Sequence, residues 1–252
     1  MSDLSGRAAV VTGAGTGIGV GIARRLAKHG ARVIVSASSS FEGAERLAAE
    51  LRSAGADVRA VQSDFRRAAN AAHVVEAALD AFGQVDILVN NAGRTMVKPF
   101  HECNERDWDD LFNVNIKSMF VTCQTALPGM LERGFGRIIN ISSVHSQVHA
   151  KGYVIYSATK GAINEFTRNL AVDIGRDNIT ANVIAPGAIH VERYERDNVD
   201  ESNMIRGIPS ASVGTPADIA GAAAFLASED ARYVNGAVLF VDGGLTARMS
   251  IE

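Results

Sequence analysis

The stretch YSATK, residues 156–160, places a tyrosine and a lysine four residues apart. On a helix, residues four apart lie on the same face, one turn from each other. The phenol of a free tyrosine has a pKa near ~10, so it is a poor base at neutral pH. A nearby ammonium favours the phenolate, and each unit by which the pKa falls corresponds to about 1.4 kcal/mol. The pair Tyr156–Lys160 could therefore exchange a proton with an alcohol, provided that other elements bring a substrate to it.

A glycine-rich segment, VVTGAGTGIG at residues 10–19, follows the first predicted strand and opens the first predicted helix. Gly13, Gly17 and Gly19 allow a sharp turn and a close approach of the backbone to a ligand. The helix N-terminus beyond them offers free N–H groups and the positive end of the helix dipole. Because this segment directly follows the first strand, it predicts a binding site for a nucleotide diphosphate.

Short apolar segments alternate along the chain with longer segments of helical periodicity. The predicted strands are residues 8–11, 32–35, 58–61, 87–89, 137–141, 180–184 and 237–240, and the predicted helices are 18–29, 42–52, 68–82, 105–131 and 153–174. Such alternation predicts βαβ units around a parallel sheet with helices on both faces. Strands that are apolar almost throughout fit a sheet covered on both sides. Residues 191–212 are charged and irregular, which is typical of a loop that covers a ligand.

Seven short motifs, taken in order, resemble the short-chain dehydrogenase/reductase family over nearly the whole chain. They are TGAGTGIG (12–19), NNAG (90–93), NVN (113–115), INISS (139–143), YSATK (156–160), PG (186–187) and VDGG (241–244). The resemblance implies an α/β fold with a single Rossmann-like, doubly wound domain over residues 1–252. It also implies a seven-stranded parallel sheet, with residues 191–212 as a substrate lid.

The same resemblance implies a role for each residue that matches the family motifs. Ser143, thirteen residues before Tyr156, would hold the substrate oxygen, and Asn115 would complete a proton relay through ordered water. Lys160 would lower the pKa of Tyr156 and also bond the nicotinamide ribose, while the nicotinamide carries the hydride. The predicted catalytic set is Asn115, Ser143, Tyr156 and Lys160. Each of these residues alone could have an ordinary structural role, but their joint register favours catalysis.

The predicted cofactor is NAD(P), and no metal is predicted, because the chain has no cluster of His, Cys and carboxylate residues with ligand spacing. The predicted cofactor-binding residues are Gly13, Gly15, Thr16, Gly17, Ile18, Gly19, Ser36, Ser38, Ser39, Asp64, Phe65, Asn91, Ala92, Gly93, Tyr156, Lys160, Pro186, Gly187 and Ile189. Asp64 matches the family position whose carboxylate faces the adenine, although a helix cap would look the same. Asn91 is expected to pin sheet backbone rather than to contact substrate.

The choice between NAD and NADP depends on the residues after the second strand, where an acid binds the ribose diol and a basic residue accommodates a 2′-phosphate. Ala37 stands where the acid is usual, and Ser38 and Thr16 stand where basic residues are common. The missing acid removes repulsion against a phosphate, and the serines could donate to one. The missing arginine removes the strongest attraction, so the sequence favours NADP or dual use only slightly.

The predicted substrate is a sugar or another polar hydroxylated molecule. The residues expected around the mouth of the site are polar: Arg94, His145, Gln147, His149, Lys151, Glu192, Arg193 and Arg196. Of these, Arg94, His145, His149 and Arg193 are predicted to contact substrate together with Ser143 and Tyr156, and Arg94 or Arg193 could pair with an anionic group. The stretches SSVHSQ, YSATKG and PGAI resemble the sugar 1-dehydrogenase branch of the family, although Val191 replaces a threonine that is usual there.

Two alternatives remain open at this point. A 3-oxoacyl-thioester (acyl carrier protein) reductase would carry the same core motifs but would line the mouth with more apolar side chains. A non-catalytic NAD(P)-binding sensor or scaffold would usually have lost Tyr156 or Lys160, and this chain has kept both.

Composition limits the other partners. A formal charge of -3 gives no basic surface for nucleic acid, and no apolar stretch is long enough to span a bilayer, so neither nucleic acid nor membrane is expected. Cys103 and Cys123 form no disulfide framework or zinc site and are expected to be inert thiols, which predicts a cytoplasmic protein. The family resemblance implies a homotetramer built partly from the helices at 105–131 and 153–174.

Overall fold

One parallel sheet runs through the protein in the strand order β3-β2-β1-β4-β5-β6-β7. The computed structural model describes residues 3–196 and 198–248. The strands are β1 (Ala8–Val11), β2 (Arg32–Ala37), β3 (Val58–Gln62), β4 (Ile87–Asn90), β5 (Gly136–Ile141), β6 (Ile179–Pro186) and β7 (Val238–Val241). This order, with helical crossovers, confirms the predicted Rossmann-like α/β fold, and each predicted strand is present within two residues of its expected ends.

Helices cover both faces of this sheet. In the described part of the chain the helices are α1 (Gly17–Lys28), α2 (Phe41–Ser53), α3 (Ala71–Phe82), α4 (Glu105–Phe112), α5 (Ser118–Arg133), α6 (Val154–Ile174), α7 (Glu192–Arg196), α8 (Ser202–Ile205) and α9 (Pro216–Ala227). The helix predicted over 105–131 is therefore α4 and α5, which are joined by a π-helical turn at Asn113–Lys117. The helix predicted over 68–82 begins with a 3₁₀ turn at Ala68–Asn70.

Successive residues of β1 show why the strands are apolar at most positions. Ala9 and Val11 belong to a hydrophobic core that α1, α2 and α9 complete on one face. Ala8 and Val10 belong to a second core, on the other face, which α3, α5 and α6 complete. Because side chains alternate between the faces of a strand, a sheet with two cores favours apolar residues at most strand positions.

Helix α9 has no counterpart among the helices predicted from the sequence. Its sequence, PADIAGAAAFLA, is rich in alanine and apolar on most of its surface, so it lacks the polar face that identifies an amphipathic helix. Its start is nevertheless encoded, because Thr215 and Asp218 form a capping box and Pro216 occupies the first turn. The helix packs tightly on α1: a Cβ added to Gly21 would lie 2.7 Å from Cβ of Pro216.

The predicted lid contains two short helices, α7 and α8, rather than an irregular loop. The imidazole of His190 connects its parts, with Nδ1 2.7 Å from Oε1 of Glu201 and Nε2 3.2 Å from Oε1 of Glu195. Hydrogen bonds to these two carboxylates raise the pKa of His190 above its ordinary value. The lid is therefore held by a contact that strengthens when His190 is protonated.

Candidate functional site

A groove of about 640 Å³ lies at the carboxyl ends of β1, β2, β3 and β4. In a doubly wound sheet this is the edge at which ligands bind. Its lining includes Gly13, Thr16, Gly17, Ile18, Ser36, Ser38, Ser39, Asp64, Phe65, Asn91, Ala92 and Gly93 from the predicted cofactor set. The structure thus brings most of that set together in one groove.

Two glycines shape the end of the groove next to α1. Gly13 has φ 65°, and a Cβ at that position would lie 2.7 Å from Cα of Ala92. Gly17 has φ 58°, and a Cβ there would lie 2.9 Å from Cγ1 of Val191. Both positions therefore require glycine, for backbone conformation and for space.

The N-terminus of α1 already receives an anionic group from the protein itself. The backbone N–H of Gly17 donates to Oε2 of Glu192 over 3.0 Å. Thr16, the N-cap residue of α1, makes no side-chain capping bond, and the first turn of the helix contains no acidic residue. The Gly17 N–H thus already binds a negatively charged group, the Glu192 carboxylate. The N-terminal end of α1 therefore fits the diphosphate of a dinucleotide.

Gly15 and Gly19 face protein rather than the groove. A Cβ on Gly15 would collide with Ser40, and a Cβ on Gly19 would collide with the carbonyl oxygen of Gly13 and lie 2.6 Å from Nδ2 of Asn91. Neither residue is part of the lining of the groove. Their place in the structure indicates that they allow close packing of the glycine-rich turn, and direct cofactor binding by them stays a prediction.

Asn91 and Thr12 join the loop after β1 to the loop after β4. Nδ2 of Asn91 donates to the carbonyl oxygens of Thr12 and Gly13, each over 2.9 Å. Oγ1 of Thr12 in turn accepts from the backbone N–H groups of Asn91 and Ala92, each over 3.0 Å. Asn91 thus pins backbone, as expected, while it also lines the groove.

The side chain of Lys160, a residue of α6, is buried against the end of β5. Its Nζ donates to the carbonyl oxygen of Ile141 over 2.9 Å and lies 5.6 Å from the ring centroid of Tyr156. Burial lowers the pKa of Lys160 to about 8, because removal from water disfavours the ammonium. An ammonium carries three N–H donors, so two remain for other acceptors.

Asn115 sits in the π-helical turn between α4 and α5. Its Oδ1 accepts from the backbone N–H of Arg94 over 2.8 Å, and its Nδ2 donates to the carbonyl oxygen of Arg94 and to Oγ1 of Thr159. A Cβ on Gly93 would lie 3.4 Å from Oδ1 of Asn115 and 3.7 Å from Nζ of Lys160. Both polar atoms therefore face the same glycine of the groove. π-helical turns of this kind are frequent at functional sites.

A second cavity, of about 330 Å³, is lined by Thr95. The two preceding residues, Gly93 and Arg94, line the groove, so the cavity and the groove are neighbours at this segment. Ser143 and Tyr156 both line it, so strand β5 and helix α6 bring the predicted hydroxyl and phenol into one cavity. Ser143 has extended backbone and accepts a hydrogen bond from the backbone N–H of His145 over 3.2 Å. The predicted catalytic residues thus lie around the junction of the groove and this cavity.

Three aromatic rings form one wall of the cavity. His145 stacks on Tyr153 with the ring centroids 4.4 Å apart, and each of these rings meets Tyr156 edge to face at about 6 Å. Burial lowers the pKa of His145 below its ordinary value. Since the imidazole is then neutral at neutral pH, this wall is aromatic and carries no charge from His145.

The rest of the cavity is more apolar than the sequence analysis expected. The lid contributes Tyr194, Met204 and Ile208, and Leu245 also lines the cavity. Val144, Val148 and Ala188 add further apolar surface. The mouth predicted to be polar therefore leads into a cavity with mixed, mainly aromatic and aliphatic walls.

The remaining predicted residues fall into three groups. Arg94 lines the groove instead of the cavity, and His149 belongs to the lining of neither. Gly187 lines the cavity, Pro186 ends β6, and the side chain of Ile189 is buried in the core on the α1 face. The side chain of Arg193 lies outside the part of the chain that the structure describes.

Several lining residues were missed, although the sequence contains signals for some of them. Tyr153 precedes Tyr156 by three residues, so the helix that presents one presents the other to the same side. Met204 and Ile208, four residues apart, are an apolar pair within a charged segment. No local signal marks Arg66, because it reaches the groove only through the packing of two loops.

Negative findings apply to the described residues only. Within residues 3–196 and 198–248, no group of three or more His, Cys, Asp or Glu side chains could hold a metal ion. The helices of this part of the chain are too short or too polar to cross a membrane. Burial raises the pKa of Cys123 to about 12, so this thiol is unreactive, as expected.

Comparison with known proteins adds independent information. The family profile described as short chain dehydrogenase matches residues 7–202. The chain is 38% identical to 3beta-hydroxysteroid dehydrogenase 1 of Eggerthella lenta and 37% identical to glucose 1-dehydrogenase 2 of Bacillus subtilis. Each match covers 97% of this chain and 95% and 96% of the two relatives. The crystal structure of a blue fluorescent protein from a metagenomic library, in complex with NADPH, superposes with a TM-score of 0.91 at 40% identity, covering 96% of this chain and 99% of that one.

Proposed function

Because the chain belongs to the short chain dehydrogenase family, we propose that it is an NAD(P)-dependent oxidoreductase that interconverts a secondary alcohol and a carbonyl on a compact, ring-shaped substrate. One observation carries the proposal. Lys160 and Asn115 face Gly93 on the groove side, and Ser143 and Tyr156 line the adjoining cavity. A carbonyl carbon in the cavity would therefore lie next to a nicotinamide ring in the groove.

The catalytic roles follow from this arrangement. When bound, the nicotinamide supplies or accepts the hydride. Tyr156 takes the hydroxyl proton of an alcohol, or returns a proton to a carbonyl oxygen. Ser143 donates a hydrogen bond to the same oxygen, and the ammonium of Lys160 favours the phenolate of Tyr156. Asn115 fixes Thr159 and the loop at Arg94, so that the two sides of the junction keep their spacing.

The lining of the cavity supports a substrate with a flat, weakly polar ring. The rings of His145 and Tyr153 stack on each other in the lining, and Met204, Ile208 and Leu245 offer aliphatic contact. A small number of hydroxyl groups, from Ser143 and the tyrosines, would fix the orientation of the ring. We therefore place cyclic ketones and alcohols with little charge first among the candidate substrates.

A sugar is the second candidate. Thr95, Tyr153 and Tyr194 add hydroxyl groups to the cavity, and a glucose 1-dehydrogenase is among the relatives. The carbon-bearing faces of a pyranose could pack on the same aromatic wall. The sequence motifs SSVHSQ and PGAI favour this candidate independently of the lining.

The test is a substrate panel with both cofactors. It contains small cyclic ketones and their alcohols, aldoses, sugar acids and a 3-oxoacyl thioester. Turnover of cyclic ketones, with little turnover of aldoses, supports the first candidate, and the reverse supports the sugar. If only the thioester turns over, the protein is an acyl-thioester reductase and the proposal of a ring substrate fails.

The variant Tyr156→Phe separates catalysis from binding. We expect turnover to fall by about 10²–10⁴-fold, the usual contribution of a general acid or base, while the affinity for the cofactor stays unchanged. Equal activity of the variant and the parent protein would contradict the role of Tyr156. Cofactor binding without any turnover across the panel would instead favour the non-catalytic sensor.

Two further expectations complete the proposal. We propose a homotetramer, because apolar side chains such as Trp108, Phe120 and Val172 remain exposed on α4, α5 and α6. The cytoplasmic location stays a prediction, supported by the two free cysteines and by the use of a nucleotide cofactor.

A further inference from the structure

A polar side cavity of about 580 Å³ continues the groove beyond the end of β2. Ser38, Ser39, Ser63, Asp64 and Arg66 line both the groove and this cavity, so the two spaces are continuous. We propose that the side cavity holds the 2′-phosphate of NADP and that Arg66 is the residue that selects NADP over NAD. This inference rests on the proposed use of a nicotinamide dinucleotide.

The pairing of β2 with β3 explains why a residue after β3 reaches this place. Ala37 is the register partner of Gln62, and the backbone N–H of Ser63 donates to the carbonyl oxygen of Ala37 over 3.0 Å. The two strands thus end side by side, and the segments that follow them run together. In a dinucleotide-binding fold the 2′ position of the adenosine ribose lies at the end of β2. Arg66 therefore reaches, from the neighbouring loop, the position that a basic residue after β2 would occupy.

The only carboxylate in the described lining of the side cavity is already neutralised. Nε of Arg66 lies 2.8 Å and its Nη2 lies 2.6 Å from Oδ2 of Asp64. The hydrogen bond from Arg66 holds the pKa of Asp64 below its ordinary value. Asp64 therefore stays ionised, and its charge is compensated by the arginine instead of repelling a phosphate.

Arg66 keeps capacity for a second anion. A guanidinium has five N–H donors, and Asp64 takes one from Nε and one from Nη2, which leaves three. The planar fork of arginine matches phosphate oxygens, and the hydroxyl groups of Ser38 and Ser39 lie in the same lining. A 2′-hydroxyl, being neutral and small, would gain little from these groups.

The decisive measurement compares two ligands that differ only in the 2′-phosphate. Calorimetric titration gives the affinities of adenosine 2′,5′-bisphosphate and adenosine 5′-monophosphate for the parent protein and for Arg66→Ala. We expect the variant to bind the bisphosphate about tenfold or more weakly, since a charge-assisted hydrogen bond is lost, and to bind the monophosphate as before. Asp64→Asn, which frees the guanidinium, is expected to strengthen bisphosphate binding.

Arg67→Ala is the matched control. Arg67 is the next residue, is also exposed and carries the same charge, but it lines neither space. We expect Arg67→Ala to leave the ratio of the two affinities within twofold of the parent, and thermal unfolding of each variant shows that the fold is retained. The role of Arg66 would be overturned if the ratio of the two affinities is unchanged in Arg66→Ala, or if it falls equally in Arg67→Ala. Either result would leave the proposed nucleotide-dependent function standing. If the parent protein binds neither ligand, the proposed nucleotide-dependent function fails together with the inference.

Discussion

At the scale of single residues, the site depends on a buried lysine that pairs with no acidic side chain of the described residues. Nζ of Lys160 is held by the carbonyl oxygen of Ile141, and desolvation is the cause of its low pKa. A lysine in this state is close to losing its charge in mildly alkaline solution. Since the ammonium is what favours the phenolate of Tyr156, the electrostatic environment of the active site should change with pH in that range.

The first prediction concerns this pH dependence. Burial lowers the pKa of Lys160 to about 8, so the ammonium is present below that pH and is lost above it. We expect kcat/KM for the proposed reaction to fall as the pH rises above about 8. The measurement is kcat/KM from pH 6 to 10 with the best substrate of the panel. A profile that stays flat to pH 10 would show that the charge of Lys160 does not support the chemistry.

The second prediction concerns Gly13. A Cβ at this position would lie 2.7 Å from Cα of Ala92, and φ is 65°, so alanine is disfavoured by both space and conformation. We expect Gly13→Ala to reduce the affinity for adenosine 5′-monophosphate and NADP at least tenfold, because the turn must open. Calorimetric titration measures this. Gly55→Ala, which also has positive φ but nothing within 4 Å of the added Cβ, controls for strain away from the groove.

At the scale of elements, the lid and helix α1 meet at the end of the groove. Glu192, the first residue of α7, accepts the hydrogen bond of the Gly17 N–H group, and Val191 packs against the same glycine. A diphosphate at the end of α1 would need the position that the Glu192 carboxylate occupies. Entry of the cofactor must therefore move the start of the lid.

The third prediction follows from this competition. Glu192→Gln keeps the size of the side chain but removes its charge, so the contact with the α1 N-terminus becomes weaker. We expect NADP to bind several-fold more tightly to this variant than to the parent protein. Glu76→Gln, an exposed surface change on α3, serves as the control for net charge. Weaker NADP binding in Glu192→Gln would show that Glu192 helps to hold the cofactor instead of competing with it.

The fourth prediction compares two glycines inside helices. In Gly21→Ala the new methyl would lie 2.7 Å from Pro216, so the packing of α1 on α9 must loosen. We expect a loss of about 1–3 kcal/mol in the free energy of unfolding. In Gly161→Ala the methyl meets nothing within 4 Å, and we expect a gain of about 0.5–1 kcal/mol. Denaturant unfolding of both variants gives these values, and equal losses would contradict the account of the α1–α9 contact.

At the scale of the whole molecule, the sequence predicted the sheet well because each strand carries its own evidence. The uninterrupted apolar run of β1 follows directly from its burial on both faces. The helix α9 escaped prediction because its nearly uniform apolar surface gives no periodic signal. A hydrophobic pattern thus predicts an element when buried and exposed positions alternate with the period of that element, or when a short strand is buried on both faces. It fails for a helix such as α9, which is apolar on most of its surface.

In the site, too, residues within short motifs could be predicted, whereas residues that the fold brings together from distant parts of the chain could not. The motif residues Gly13, Asn115, Ser143, Tyr156 and Lys160 could be identified because each lies in a short motif that resembles a family motif, in the same order along the chain. The apolar character of the cavity could not, since Met204, Ile208 and Leu245 come from the lid and from the last part of the chain. Arg66 was missed for a related reason: its place depends on the register of β2 and β3.

The fifth prediction concerns assembly. Phe120 on α5 is about half exposed and meets Phe166 of α6 edge to face, so the two helices share an exposed apolar surface. We expect the protein to sediment with the mass of a homotetramer, and Phe120→Glu to shift the mass to a smaller species. Sedimentation velocity measures both. A parent protein that sediments as a monomer at micromolar concentration would refute the proposed assembly.

The paired contacts of Thr12 and Asn91 have a consequence for attempts to re-engineer this protein. Four hydrogen bonds connect the turn after β1 to the turn after β4, so the two segments hold each other in a fixed relative position. A graft that exchanges residues 12–19 for those of a distant homologue will keep its shape only if positions 91 and 92 can still make those bonds. Designers of chimeras should therefore transplant both segments together, although almost eighty residues separate them in the chain.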